Sequence, residues 1–180
     1  SNFESFKNHV SVLFWSLGNE SYAGDILVEM NRYYKEKDPD RLVHYEGVAE
    51  NRPYEDLISD MESQMYALPE KIKEYLENNP KKPFILCEYM HDMGNSLGGM
   101  ESYIRLLDQY EDYQGGFIWD YIYQSLFVKD EVTGRDVLRY GGDFDDRPSD
   151  YEFSGNGILF ADRTEKPAMQ EVRHYYGLRR

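Results

Sequence analysis

Two glutamates stand where apolar runs end. Phe14-Trp15-Ser16-Leu17-Gly18-Asn19-Glu20-Ser21 carries a strand-like run straight into Gly-Asn-Glu, and Phe84-Ile85-Leu86-Cys87-Glu88-Tyr89-Met90-His91 delivers a second glutamate in the same way. A strand fixes the side chain at its end while the following loop shapes a pocket, so catalytic groups gather at such positions. Two carboxylates on one rim of a parallel sheet can face each other across a pocket mouth. The chemistry that needs such a pair is cleavage of a glycosidic bond. One carboxyl protonates the leaving oxygen while the other attacks the anomeric carbon or activates water, and retaining enzymes hold the two about 5–5.5 Å apart. Singly, each glutamate reads more simply as a solvated loop residue; the repeated geometry is what favours chemistry.

The elements that must position them follow from periodicity. Continuous apolar runs predict strands over 12–17, 42–46, 63–67, 84–88 and 116–122, of the kind buried on both faces of a parallel sheet. Helical spacing recurs over 24–37, 69–78 and 97–110, with Pro39 and Pro80 just beyond two of the ends. The order is βαβαβ. A Gly- and Asp-rich stretch over 140–148 precedes an apolar run at 157–160 and a closing helix over 167–176. Asp143, Asp145 and Asp146 lack the Gly and the distal Glu of a calcium loop and read as solvated. Five strands fall short of the eight of a (β/α)8 barrel, which leaves two architectures: an open doubly wound sheet, or a larger barrel whose first strands lie upstream.

Composition narrows the partners. A formal charge of −14 opposes a phosphate backbone or an anionic lipid surface, so neither nucleic acid nor membrane is expected. No run approaches the roughly 18 apolar residues of a spanning helix, and the first ten residues lack a signal-peptide core. Cys87 is the single cysteine, so no intrachain disulfide can form. That favours a cytoplasmic location and leaves a periplasmic one open. The 16% aromatic share, with 17 Tyr, suits either core filling or the faces of sugars.

The words WSLGNES, Gln64-Met65-Tyr66, ILCEYMHDMGNSLGG and GGFIWDY, followed by Tyr140–Phe144, Phe153–Gly157 and Phe160–Thr164, are similar to the catalytic barrel of glycoside hydrolase family 2, in the form its β-galactosidases carry. The resemblance spans almost the whole chain. It implies one unit over 1–180, a partial (β/α)8 TIM barrel of about strands four to eight with their helices, strands one to three preceding it. The implied activity is retaining hydrolysis of terminal β-D-galactose residues. Glu20 is then the acid/base and Glu88 the nucleophile. Tyr66 would hydrogen-bond the nucleophile, His91 would bind sugar hydroxyls, and Trp119 would lie against the apolar face of galactose. A structural histidine and buried aromatics are the plainer readings of these three. His44 and His174, outside any motif, read as packing or surface residues.

The family also implies two kinds of cation. A Mg²⁺ would touch Glu20, its remaining ligands lying upstream, and a Na⁺ or K⁺ would be held by the Phe153 carbonyl and Asn156 with an upstream partner. Tyr121 and Tyr123 depart from the family pattern at the outer rim that meets the leaving group, and Ser154-Gly155 departs from it between the two monovalent-ion ligands. The partners implied are a β-galactoside and the rest of the parent barrel. Unpaired strand edges also leave a homo-oligomer open and make the isolated segment a poor catalyst. The alternatives are a β-glucuronidase or β-mannosidase of the same clan, and, outside enzymes, a non-catalytic carbohydrate-binding module.

Overall fold

A computed structural model describes residues 2–177. After a short helix α1 (Asn2–Phe6), strands and helices alternate as β1 (Phe14–Ser16), α2 (Asp25–Lys37), β2 (Leu42–His44), α3 (Glu55–Ile58), β3 (Glu62–Met65), α4 (Pro69–Glu77), β4 (Phe84–Tyr89), α5 (Met100–Gln109) and β5 (Tyr113–Ile118). A hairpin of β6 (Leu126–Lys129) and β7 (Asp136–Arg139) follows, and helix α6 (Met169–Gly177) comes last. This is a TIM-barrel-like α/β arrangement that is only partly barrel-like. β1 and β2 pair in parallel, Phe14 with Leu42, Trp15 with Val43 and Ser16 with His44, while β3, β4 and β5 form a separate hydrogen-bonded group in that order. Among the described residues, no helix is long and apolar enough to cross a membrane.

The chain divides into two compact units. The first holds the residues up to Cys87 together with Leu106–Gly116, and the second holds Glu88–Arg105 and the residues from Phe117 onward. In the first unit Val43, Ile58, Ile72, Phe84 and Leu86 are fully buried, each contributing about 1.5–3 kcal/mol of apolar transfer. Phe3, Trp15 and Tyr34 stack around one another at ring separations of 5.3–5.6 Å, so part of the aromatic excess fills this core. The gap between the two strand groups has no ladder and is bridged by side chains together with the backbone bond from Asp60 N–H to Val43 O at 2.8 Å. Val43 N–H donates to Asp60 Oδ2 at 2.7 Å, Tyr45 N–H to Ser59 Oγ at 3.1 Å, and the His44 ring lies between Ser16 Oγ at 3.0 Å and Ser63 Oγ at 2.8 Å. His44, expected as a packing or surface residue, thus connects β1, β2 and β3.

Two features differ from the sequence reading. The strand predicted over 116–122 is β5 at Tyr113–Ile118, because Phe84 N–H takes Asp112 O at 2.7 Å and the buried Tyr113 anchors the chain earlier. The rest of that run pairs elsewhere: Asp120 and Tyr123 donate to Asn156 O and Leu159 O, and Leu159 bridges Ile122 in parallel. The hairpin was not foreseen, since its strands are short and Leu126 and Phe127 are exposed. It is closed locally by Asp130, whose Oδ1 accepts both Thr133 N–H and Thr133 Oγ1–H at 2.7 Å. Helices over 24–37, 69–78 and 167–176 were close to α2, α4 and α6.

Candidate active site

β1 carries Glu20 outward from the first core. The ladder runs one residue past the strand, with Leu17 N–H on His44 O at 3.0 Å, and then the chain turns at Glu20, whose φ is 56°. Left-handed backbone is costly for a residue with a Cβ and concentrates where the surroundings hold it for a purpose. Two residues at the end of β2 do the holding. Glu20 N–H donates to Glu46 Oε1 at 2.5 Å, Ser21 N–H donates to the Tyr45 hydroxyl at 3.0 Å, and that hydroxyl donates to the Ser21 carbonyl. The Glu20 side chain is exposed and, with Glu46, Gln64 and Met65, lines a cavity of about 540 Å³. Tyr66 stands one residue beyond β3, 37% exposed, with φ 52°.

The second unit holds the remaining candidates. Glu88 is the penultimate residue of β4 and is buried, and Met90 (φ 55°) turns the chain to His91. His91 Nε2 lies 3.0 Å from Asn156 Oδ1, and the imidazole sits 6.0 Å from the Phe153 ring. Asn156, 3% exposed, donates its amide to the Phe153 carbonyl. His91, Phe153 and Asn156 are therefore brought together as one cluster. Trp119 is tied to them through the backbone: its N–H donates to Tyr89 O at 3.0 Å, its carbonyl accepts Asp92 N–H at 2.9 Å, and across a cis Trp119–Asp120 peptide Asp120 N–H reaches Asn156 O at 2.9 Å.

Beneath this cluster is a buried ion pair. Lys166 Nζ lies 2.9 Å from Asp92 Oδ2, off the line of a hydrogen bond, and donates to the Asp92 carbonyl at 3.0 Å. Burial pushes the Asp92 carboxyl above the usual carboxylate range, against the pull of the ammonium. The pair fixes the segment that carries His91.

The two kinds of cation fare differently. Among the described residues no three His, Cys, Asp or Glu side chains gather as a metal site, so a Mg²⁺ on Glu20 would need ligands from outside them. The monovalent site has better material. The Asn156 amide already meets the Phe153 carbonyl, so the two groups that would hold a Na⁺ or K⁺ stand together.

Sequence reading passed over Tyr45 and Glu46. The signal was present: Val43-His44-Tyr45-Glu46-Gly47 is a third apolar run ending in Glu, and Glu46 is the one that ends up buried against the Glu20 backbone.

The family model described as "Glycosyl hydrolases family 2, TIM barrel domain" matches residues 1–179. The chain is 73% identical over 177 residues to the β-galactosidase large subunit of Latilactobacillus sakei, covering 98% of this chain and 28% of that protein. It is 60% identical over 176 residues to a β-galactosidase of Halalkalibacterium halodurans, covering 98% and 17%. Among solved structures, a Faecalibacterium prausnitzii β-glucuronidase superposes with a TM-score of 0.60 at 20% identity, over 99% of this chain and 33% of the other. At that identity the shared property is the fold.

Proposed function

This chain belongs to glycosyl hydrolase family 2, and on that premise we propose that it carries both catalytic carboxylates of a retaining β-galactosidase, Glu20 as acid/base and Glu88 as nucleophile. The observation that carries the proposal is the 73% identity to a β-galactosidase large subunit across 98% of the chain, in a sequence whose two strand-end glutamates suit a double displacement. A Glu88 oxygen bonds to the anomeric carbon as the glycosidic C–O bond breaks. The departing oxygen keeps the electron pair and takes the Glu20 proton. Water then attacks the same carbon, gives its proton to Glu20, and releases Glu88 as carboxylate.

The chain spans 28% of the length of the large subunit it most resembles among these relatives, so the full activity is proposed for the parent protein. β1 to β5 then correspond to about strands four to eight of the barrel. Tyr66 would steady Glu88, His91 would hold sugar hydroxyls, and Trp119 would cover the apolar face of galactose. The Phe153 carbonyl and Asn156 Oδ1 would hold a Na⁺ or K⁺ that presents positive charge to a hydroxyl. A Mg²⁺ would take Glu20 together with ligands from elsewhere in the parent.

The test is a hydrolysis panel of nitrophenyl β-galactoside, β-glucuronide and β-mannoside with the full-length protein and with residues 1–180 alone. The expected result is galactoside preference by the full-length protein and turnover at least about 10²-fold slower by the isolated chain, since loosened catalytic geometry costs that much. Preference for the uronide or mannoside, or no hydrolysis at all, would overturn the assignment.

A further inference from the structure

We propose that Glu46 is a positioning residue for the acid/base, working through the backbone of Glu20; this rests on the β-galactosidase reading above. Glu46 is 7% exposed, and a buried carboxylate with no cation paired to it among the described residues is a costly thing to keep unless its oxygens are used. One is used: Oε1 accepts Glu20 N–H at 2.5 Å, a charge-assisted bond to the residue whose left-handed turn aims the acid. Oε2 has no hydrogen-bond partner among the described residues, and Glu46 lines the same cavity as Glu20.

The residues on either side of Glu46 serve the same turn. The Tyr45 hydroxyl brackets Ser21 by bonding both its N–H and its carbonyl. Gly47 lies so close that a Cβ there would stand 2.5 Å from the Ser21 carbonyl oxygen, which is backbone and cannot swing aside. Tyr45, Glu46 and Gly47 thus form a cradle at the end of β2 for Glu20 and Ser21. Removing the Glu46 acceptor frees the Glu20 N–H and lets the acid drift while leaving the nucleophile untouched.

That asymmetry gives a kinetic signature. kcat/KM reports the steps up to departure of the leaving group, which need the acid only when that group is basic. In the full-length enzyme, Glu46→Ala is expected to lower kcat/KM for lactose by about tenfold or more, with kcat/KM for dinitrophenyl β-galactoside changing less than about threefold. With the dinitrophenyl substrate, kcat and KM should fall together, because water attack on the galactosyl intermediate still needs Glu20 as base, and azide should restore kcat. Glu46→Gln keeps an acceptor oxygen and should recover most of the loss. Gly47→Ala, acting on the same turn through a different contact, should reproduce the leaving-group split even if Glu46→Ala fails to fold.

Equal losses on both substrates, or a Gly47→Ala variant with wild-type kinetics, would overturn the proposal. If the wild-type enzyme hydrolyses neither galactoside, the β-galactosidase reading itself fails, and that outcome is separate from a failure of the cradle.

Discussion

Between Ser16 Oγ and Ser63 Oγ the His44 ring has both nitrogens occupied while it is neutral, and burial lowers its pKa from 6.5 to about 4. In the unfolded chain the same ring takes a proton near pH 6.5, so between those values the unfolded state binds more protons and stability rises with pH. The contribution is fully present above about pH 6.5 and is lost as the pH falls towards 4, about 3 kcal/mol in all. Urea midpoints of wild type and His44→Gln at pH 7 and pH 4.5 check this. The variant should lose distinctly less stability on acidification, whereas parallel losses would show that His44 is not the titrating group. The same residue illustrates how a motif-free histidine earns its place: the bond to Ser63 crosses the gap where β2 and β3 share no ladder.

At the scale of elements, Gly157 sets how closely the 156–159 segment approaches the chain after β5. A Cβ there would lie 2.2 Å from Ile122 C and from Tyr123 N, contacts only backbone movement could relieve. Gly157→Ala should destabilise by about 1–3 kcal/mol, as overpacking of rigid neighbours does, and should weaken the Na⁺ activation proposed above by displacing Asn156. Chemical denaturation with a sodium titration of activity would measure both, and a wild-type midpoint would contradict the close approach. Much of this architecture was legible beforehand. Apolar runs announced β1 to β4, and Pro39 and Pro80 marked where α2 and α4 had to stop. The run at 116–122 misled because apolarity alone does not say which backbone partner a residue takes, and half of it bonds to 156–159 instead of continuing β5. Glu20 and Glu88 could be singled out because strand ends are visible in sequence. Glu46 ends a third such run and could have been flagged with them, but its part, a bond to another residue's backbone N–H, is recorded by no local word.

For the whole molecule, the formal charge of −14 bears on partners, and the proposed chemistry rests on two side chains. The proposed double displacement uses Glu20 and Glu88, so the division of labour between them is the claim on which everything else depends. Azide separates the roles by stereochemistry, since it replaces whichever carboxylate has been removed. The decisive measurement is the anomeric configuration, by NMR, of the galactosyl azide formed from dinitrophenyl β-galactoside by Glu20→Gly and Glu88→Gly variants of the full-length enzyme. With Glu20 as acid/base, azide intercepts the covalent intermediate in the first variant and gives the β-azide. With Glu88 as nucleophile, azide takes its place in the second and gives the α-azide. The reverse pair of products, or no azide product from either variant, would contradict the assignment.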